Sequence, residues 1–303
     1  MKKINRRKAI KDLSLSAAML SVAATGIESC SPSKAIISKE KPLNINASPL
    51  KGKINHSVCR WCYNKIPFEE FLAEAKDIGL KSVELLNSEE WPLAQKIGLT
   101  CAVATDNAIS ISSAFNEIEN HEKLKKLYLP LIDKAADAGL QKVICFSGNR
   151  RKLSDEQGLE NCAKGLDVIV KYAEKKNITV IMELLNSKVD HIDYQCDKSV
   201  WGVALVDKIG SPNFRLLYDI YHMQIMEGDV IHTIRTYKDY FVHYHTGGVP
   251  GRNEINETQE LFYPAIMKAI LETGYKGFVA QEFIPKGADP IAALREGVRI
   301  CDV

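Results

Sequence analysis

Long apolar runs are missing from this 303-residue chain. No uninterrupted stretch approaches the roughly 20 apolar residues that a membrane-spanning helix needs, which argues against a polytopic membrane protein. Charge of one sign is missing as well. The formal net charge is +2, and residues 1–29 hold six basic side chains (Lys2, Lys3, Arg6, Arg7, Lys8, Lys11) against two acids, Asp12 and Glu28. The remainder carries 34 basic and 36 acidic residues. Such a near-neutral body has no basic field to attract phosphate backbones, so the composition points away from nucleic acid and toward a small-molecule partner. The marks of disorder, collagen or a small disulfide scaffold are absent too, because 46% hydrophobic and 26% charged residues with 18 Gly and 11 Pro are ordinary for a globular chain with one large core.

Residues 1–30 read as an export signal rather than as part of the fold: a basic start, then a mildly apolar Ser/Ala-rich run from Leu13 to Ile27. Arg6-Arg7-Lys8-Ala9-Ile10-Lys11 resembles a twin-arginine signal, with Ala9 where the usual pattern has Phe. Cys30 is placed like the acylated cysteine of a bacterial lipoprotein, although Ile27-Glu28-Ser29 fits that box poorly, and a lipid anchor therefore stays open. The expected location is the periplasm. Residues 31–53 read as a linker, and 54–303 as one domain. Seven cysteines follow Cys30, an odd number, and Cys101 and Cys145 sit inside apolar segments where cysteine acts as a small core residue. Cys59-Arg60-Trp61-Cys62 has redox-motif spacing, but a much longer repetitive architecture surrounds it, which favours a packing role.

Strand-like and helix-like segments alternate through the body. Short apolar runs at 54–60, 81–86, 99–105, 142–147, 178–185, 214–220, 241–246 and 278–284 read as strands. Helix-period segments follow at 67–78, 89–97, 122–138, 155–176, 199–209, 229–239, 263–273 and 289–300, several of them closing in Gly. Eight strand–helix repeats without a break in composition predict an α/β fold, a single-domain (β/α)8 TIM barrel. A dinucleotide-binding open sheet is disfavoured because no Gly-x-Gly-x-x-Gly follows the first strand.

Function in such a barrel gathers at the carboxyl ends of the strands. Near those ends the last four strands carry Glu183, Asp219, His245 and Glu282, separated by 36, 26 and 37 residues. Each gap is about one repeat, so all four stand side by side at the rim, and strand alternation lets them face inward together. Three crowded carboxylates repel by several kcal/mol in a partly dry cavity, and a divalent metal is the economical counter-charge. Oxygen-rich ligation with one imidazole suits Mg, Mn, Co or Zn, without choosing among them.

The segments that carry this constellation resemble the sugar isomerase and epimerase barrels of the xylose-isomerase-like superfamily, and within it the hydroxypyruvate isomerase family. The resemblance rests on Met182-Glu-Leu-Leu185, Tyr218-Asp-Ile-Tyr-His-Met-Gln224, His243-Tyr-His-Thr-Gly247 with Pro250-Gly-Arg-Asn-Glu254, Phe262-Tyr-Pro264 and Gln281-Glu-Phe-Ile-Pro285, and runs from about His56 to Gly287. It implies metal ligation by Glu183, Asp219, His245 and Glu282, with Glu183 and Glu282 on opposite faces of the substrate exchanging protons with it. It also suggests that His222 donates to a substrate oxygen. Arg252 suits clamping a carboxylate or hydroxyl, Glu84 suits orienting the substrate or Arg252 or else supporting other site residues from behind, and Trp61 suits walling the pocket. The charged run Gly148-Asn-Arg-Arg-Lys152 reads as a solvated loop.

The expected chemistry is metal-dependent isomerisation through an ene-diolate, hydroxypyruvate to tartronate semialdehyde being the nearest likeness, with a small sugar or keto acid as substrate. Two alternatives remain. One is a ketose 3-epimerase, favoured by His245 where hydroxypyruvate isomerases commonly have Gln; the other is a non-catalytic periplasmic sugar-binding barrel. A three-zinc endonuclease needs a longer His/Asp/Glu set and a basic groove, and the sequence offers neither.

Overall fold

The computed structural model describes residues 49–303. The export-signal and Cys30 readings, and most of the expected linker, lie outside the described residues.

Among the described residues, runs rich in Val, Ile and Leu form six strands: β1 (Asn55–Val58), β2 (Lys142–Cys145), β3 (Thr179–Leu184), β4 (Phe214–Asp219), β5 (Phe241–Thr246) and β6 (Phe278–Gln281). All pair in parallel in the order β1-β6-β5-β4-β3-β2. Parallel pairing requires crossovers, and the described residues form nine α-helices: α1 (Phe68–Ile78), α2 (Trp91–Lys96), α3 (His121–Asp137), α4 (Asp155–Lys175), α5 (Ser199–Ile209), α6 (Ile220–Met226), α7 (Val230–Thr236), α8 (Tyr263–Glu272) and α9 (Pro290–Cys301). Eight of them fall on the segments expected from the sequence; α6, tucked directly behind β4, was not anticipated.

Helix ends follow local chemistry. Gly79 takes φ +97° and returns its N–H to the carbonyls of Ala75 and Lys76, closing α1 in a conformation that costs a side-chain-bearing residue. Asp289 caps α9 by accepting from the amides of Ile291 and Ala292. The strands are buried along nearly their whole length, as expected for a parallel sheet covered by helices. Fully buried Leu184, Leu216, Phe214 and Phe241 lie in the core, each worth about 1.5–3 kcal/mol of transfer free energy.

The expected second and third strands, 81–86 and 99–105, are corrected. Neither forms a regular strand; the two segments join their neighbours through isolated parallel bridges, Cys59 to Glu84, Ser82 to Thr100, and Ala104 to both Leu86 and Val143. Two local causes break regularity. Leu85 adopts φ +57°, which ends an extended run, and the Ala102 amide donates to Ser82 Oγ at 2.9 Å instead of to a neighbouring carbonyl. The segments still lie against their neighbours, with Glu84 N donating to Val58 O and Ala104 N to Lys142 O, each at 2.9 Å.

All seven described cysteines are free thiols, and only Cys62 is not fully buried. Among the described residues no helix is long and apolar enough to cross a membrane.

Candidate functional site

Strand register decides which side chains meet. Asp219, the last residue of β4, pairs with His245, the penultimate residue of β5, while Glu183 on β3 pairs with Leu217, two residues before Asp219. Glu282 follows β6 by one residue. Alternation along parallel strands therefore turns these four side chains to one side. Their donor atoms all lie within 4.8 Å of one another, and all four residues are buried. His245 Nδ1 is 2.9 Å from Glu282 Oε2 and 3.2 Å from Glu183 Oε1.

Arg252 enters the same cluster. It sits at φ +57° in the loop after β5, where Gly248 and Asn253 bridge. Its Nη2 reaches Asp219 Oδ2 at 3.3 Å and also donates to Glu282 Oε2. The guanidinium lies 5.0 Å from the Trp61 ring centroid and 5.4 Å from that of Tyr221, so two aromatic rings frame the cation. Trp61 Nε1 donates to Glu282 Oε1 at 2.8 Å, and with 37% of its surface exposed the indole links the buried cluster to solvent.

The environments of the carboxyl groups diverge. Burial, reinforced by the charge of Glu282, raises Glu183 above the usual glutamate range. Burial pushes Asp219 well above its usual value, and Arg252 only partly opposes it. Burial also acts on Glu282, but Arg252 and then His245 overcome it and hold this carboxyl well below normal. Burial opposes a charge on His245, yet Cys59, Glu282 and Glu183 around the ring hold its pKa well above the ordinary value.

His222 is placed by α6. Asp219 caps that helix, accepting from the His222 amide at 3.1 Å. Asn186 Nδ2 lies 2.6 Å from His222 Nδ1. An amide NH2 can only donate, so the ring proton sits on Nε2, which is buried without a partner 3.6 Å from Asp219 Oδ2. Burial drives the His222 pKa well below normal, which leaves it a neutral donor. Sequence reasoning missed Asn186, three residues past Glu183, and Tyr221, whose hydroxyl donates to Asp190 at 2.8 Å. The signal for both was position: each lies two or three residues past a strand-end acid.

Of the two roles expected for Glu84, its contacts fit support of other site residues rather than orientation of Arg252. It is fully buried, and its Oε1 lies 2.7 Å from His243 Nε2 and 2.9 Å from His245 Nε2. Although burial would raise its pKa, the two histidines bring it down to about 2. Arg150, from the charged run after β2, pairs with Asp197 at 2.6 Å and Asp155 at 3.2 Å.

The donor set at Glu183, Asp219, His245 and Glu282 fits a divalent cation. It is oxygen-rich with one imidazole, three carboxylates face a single guanidinium, and buried Glu183 Oε1 has no neighbour to satisfy it but the His245 ring at 3.2 Å.

Ionisable side chains gathered at the carboxyl ends of parallel strands, with helices on the crossovers, define a TIM-barrel type of site. Residues 72–302 match the family described as xylose isomerase-like TIM barrel, and the chain belongs to that family. Hydroxypyruvate isomerase of Escherichia coli is 29% identical over 152 residues, 49% of this chain and 57% of that protein. The 2-oxo-tetronate isomerase of Pectobacterium atrosepticum is 25% identical over 248 residues, 74% of this chain and 89% of its own. The chain spans about half the length of several curated relatives that it matches, 45% for a human one. Among solved structures, D-psicose 3-epimerase of Clostridium cellulolyticum shares the fold with a TM-score of 0.67 at 18% identity, covering 82% of this chain and all of that one.

Proposed function

We propose that the protein is a metal-dependent isomerase that moves a carbonyl between adjacent carbons of a small keto acid or sugar through an ene-diolate, most like hydroxypyruvate isomerase. One observation carries this reading: Glu183 and Glu282 lie in one buried cluster with their proton affinities pushed in opposite directions. Two carboxyl groups tuned apart in this way divide into a base and an acid. Glu282, held ionised by Arg252, takes the proton from the carbon next to the carbonyl. Glu183, biased toward its protonated form, supplies a proton to the neighbouring carbon while the hydroxyl proton passes to the former carbonyl oxygen, and proton exchange with solvent then returns both carboxyls to their starting forms. His222 Nε2 offers its unpartnered N–H to a substrate oxygen, and Trp61 orients Glu282 through the indole N–H. Glu183, Asp219, His245 and Glu282 would hold a divalent ion, whose Lewis-acid chemistry when bound stabilises the negative charge that develops as the proton leaves.

His245 in the seventh expected strand supports a second reading, a ketose 3-epimerase, in which the proton returns to the same carbon from the other face. The test is product analysis by NMR after incubation with hydroxypyruvate, tartronate semialdehyde, 2-oxo-tetronate and a set of ketoses. Interconversion of the first pair, or of 2-oxo-tetronate with its isomer, supports isomerisation; a C3 epimer supports the second reading; unchanged substrates throughout favour a sugar-binding barrel.

We also propose, on the N-terminal sequence alone, that the chain is exported to the periplasm. Fractionation of cells expressing the protein and its Arg6→Lys, Arg7→Lys double variant tests this, with cytoplasmic retention of the variant alone as the expected result.

A further inference from the structure

The side of His245 that faces away from the carboxylate cluster is as crowded as the side that faces it. Its Nε2 lies 2.9 Å from Glu84 Oε1 and 3.7 Å from Cys59 Sγ. The same Oε1 lies 2.7 Å from His243 Nε2, and all four residues are fully buried. An ionised carboxylate has no proton to offer, so both imidazoles donate to it through Nε2. His245 and His243 come from one face of β5, two residues apart, with ring centroids 5.2 Å apart. Glu84 comes from the bridged segment beside β1, across the interior from β5. It thus ties two separate parts of the chain to one ring.

We propose that Glu84 is a positioning residue for the metal centre: by accepting from His245 Nε2, it fixes the ring orientation and keeps the proton on Nε2, so that Nδ1, facing Glu183 and Glu282, is the nitrogen that would give up its proton to a divalent ion. A carboxylate behind a ligating histidine fixes the ring in this way and increases its basicity, and its removal typically weakens metal affinity about 10–100-fold. His243 shares the carboxylate and holds it in place from the next inward-facing position. Glu84 accordingly touches no substrate and acts only through His245. This inference rests on the proposed metal site.

The same atoms define the competing account. Cys59, Glu84 and His245 also bring their donor atoms within 4.8 Å of one another, so they would be ligands if a second ion bound there. Two measurements separate the possibilities. In wild-type protein loaded with 113Cd and labelled with 15N-histidine, the expected spectrum shows cadmium coupled to His245 Nδ1 and a slowly exchanging proton on Nε2. Cadmium on Nε2 would overturn the proposal, as would two bound ions per chain with the second lost in Cys59→Ser. Equilibrium dialysis with Mn2+ is expected to show affinity reduced about 10–100-fold in Glu84→Gln and less in Glu84→Asp, while metal-free far-UV spectra stay like wild type. Undiminished affinity in a folded Glu84→Gln protein sinks this inference alone. Failure of the wild-type chain to bind Mn2+ or Cd2+ takes the proposed metal site down with it. Should Glu84→Gln not fold, the wild-type cadmium spectrum decides.

Discussion

Glu183 and Glu282 share a buried cluster, yet Arg252 and Trp61 both bind Glu282, while Glu183 Oε1 has only the His245 ring beside it, at 3.2 Å. In the proposed mechanism that asymmetry makes Glu282 the base and Glu183 the acid, and it predicts a bell-shaped pH profile. Activity should rise as Glu282 ionises, at a pH below the ordinary glutamate range, and fall as Glu183 loses its proton above that range. The two limbs belong to the pair rather than to single residues. Glu282→Gln and Glu183→Gln should each lower turnover by roughly 10²–10⁴-fold, and in Glu282→Gln steady-state rates should lose the acidic limb. An unchanged profile in that variant would remove Glu282 from the role of base. At this scale the sequence was informative about strand-end acids, because a gap of one repeat puts them on neighbouring strands. It pointed to Glu84 but not to its partners, His243 and His245, which lie about 160 residues away and come together with it only in three dimensions.

Elements position these side chains, and the loop after β5 does so most tightly. Gly248 N donates to Asn253 O at 2.9 Å, and Arg252 N to Gly248 O at 2.8 Å, which folds the chain back so that Arg252 enters the cluster. A Cβ on Gly248 would lie 2.3 Å from the backbone oxygen of Glu254, too close for any rotamer change to relieve. Gly248→Ala should therefore shift the loop at a cost of about 1–3 kcal/mol and impair turnover well beyond its effect on melting temperature, as paired kinetic and thermal-unfolding measurements would show. Equal, small effects on both would mean that the loop does not position Arg252. The helices were legible from the sequence because period and Gly stops coincide, as at Gly79 and Gly210. Helix α6 was not, since its seven residues fill what reads as a loop and depend on Asp219 as both cap and cluster member. The segments 81–86 and 99–105 have strand composition, but the positive φ of Leu85 and the diversion of the Ala102 amide to Ser82 leave no trace in a hydropathy pattern.

For the molecule as a whole, stability should respond to acid through buried imidazoles remote from the site. His56 on β1 is buried 3.8 Å from Asp302, and burial lowers its pKa from 6.5 to about 4 despite that acid. Between those values the unfolded chain binds the proton and the folded one does not, so stability falls as pH drops from 6.5 toward 4, by up to about 3 kcal/mol. Denaturant unfolding of His56→Asn should show a shallower decline over that window than wild type; an identical slope would exclude His56 as the source. A divalent ion binding only the folded chain should act in the opposite direction. Mn2+ at about 100 times its Kd adds about 2.7 kcal/mol, or roughly 5–11 °C, and EDTA reverses it. The central claim, however, is proton transfer next to a carbonyl at this cluster. The most direct test is NMR of the protein in deuterated water with hydroxypyruvate, tartronate semialdehyde and the ketoses, with and without EDTA. The account predicts deuterium entering the carbon next to the carbonyl of at least one of them, lost with EDTA and in Glu282→Gln; no exchange in any of them by protein that holds its metal would contradict it.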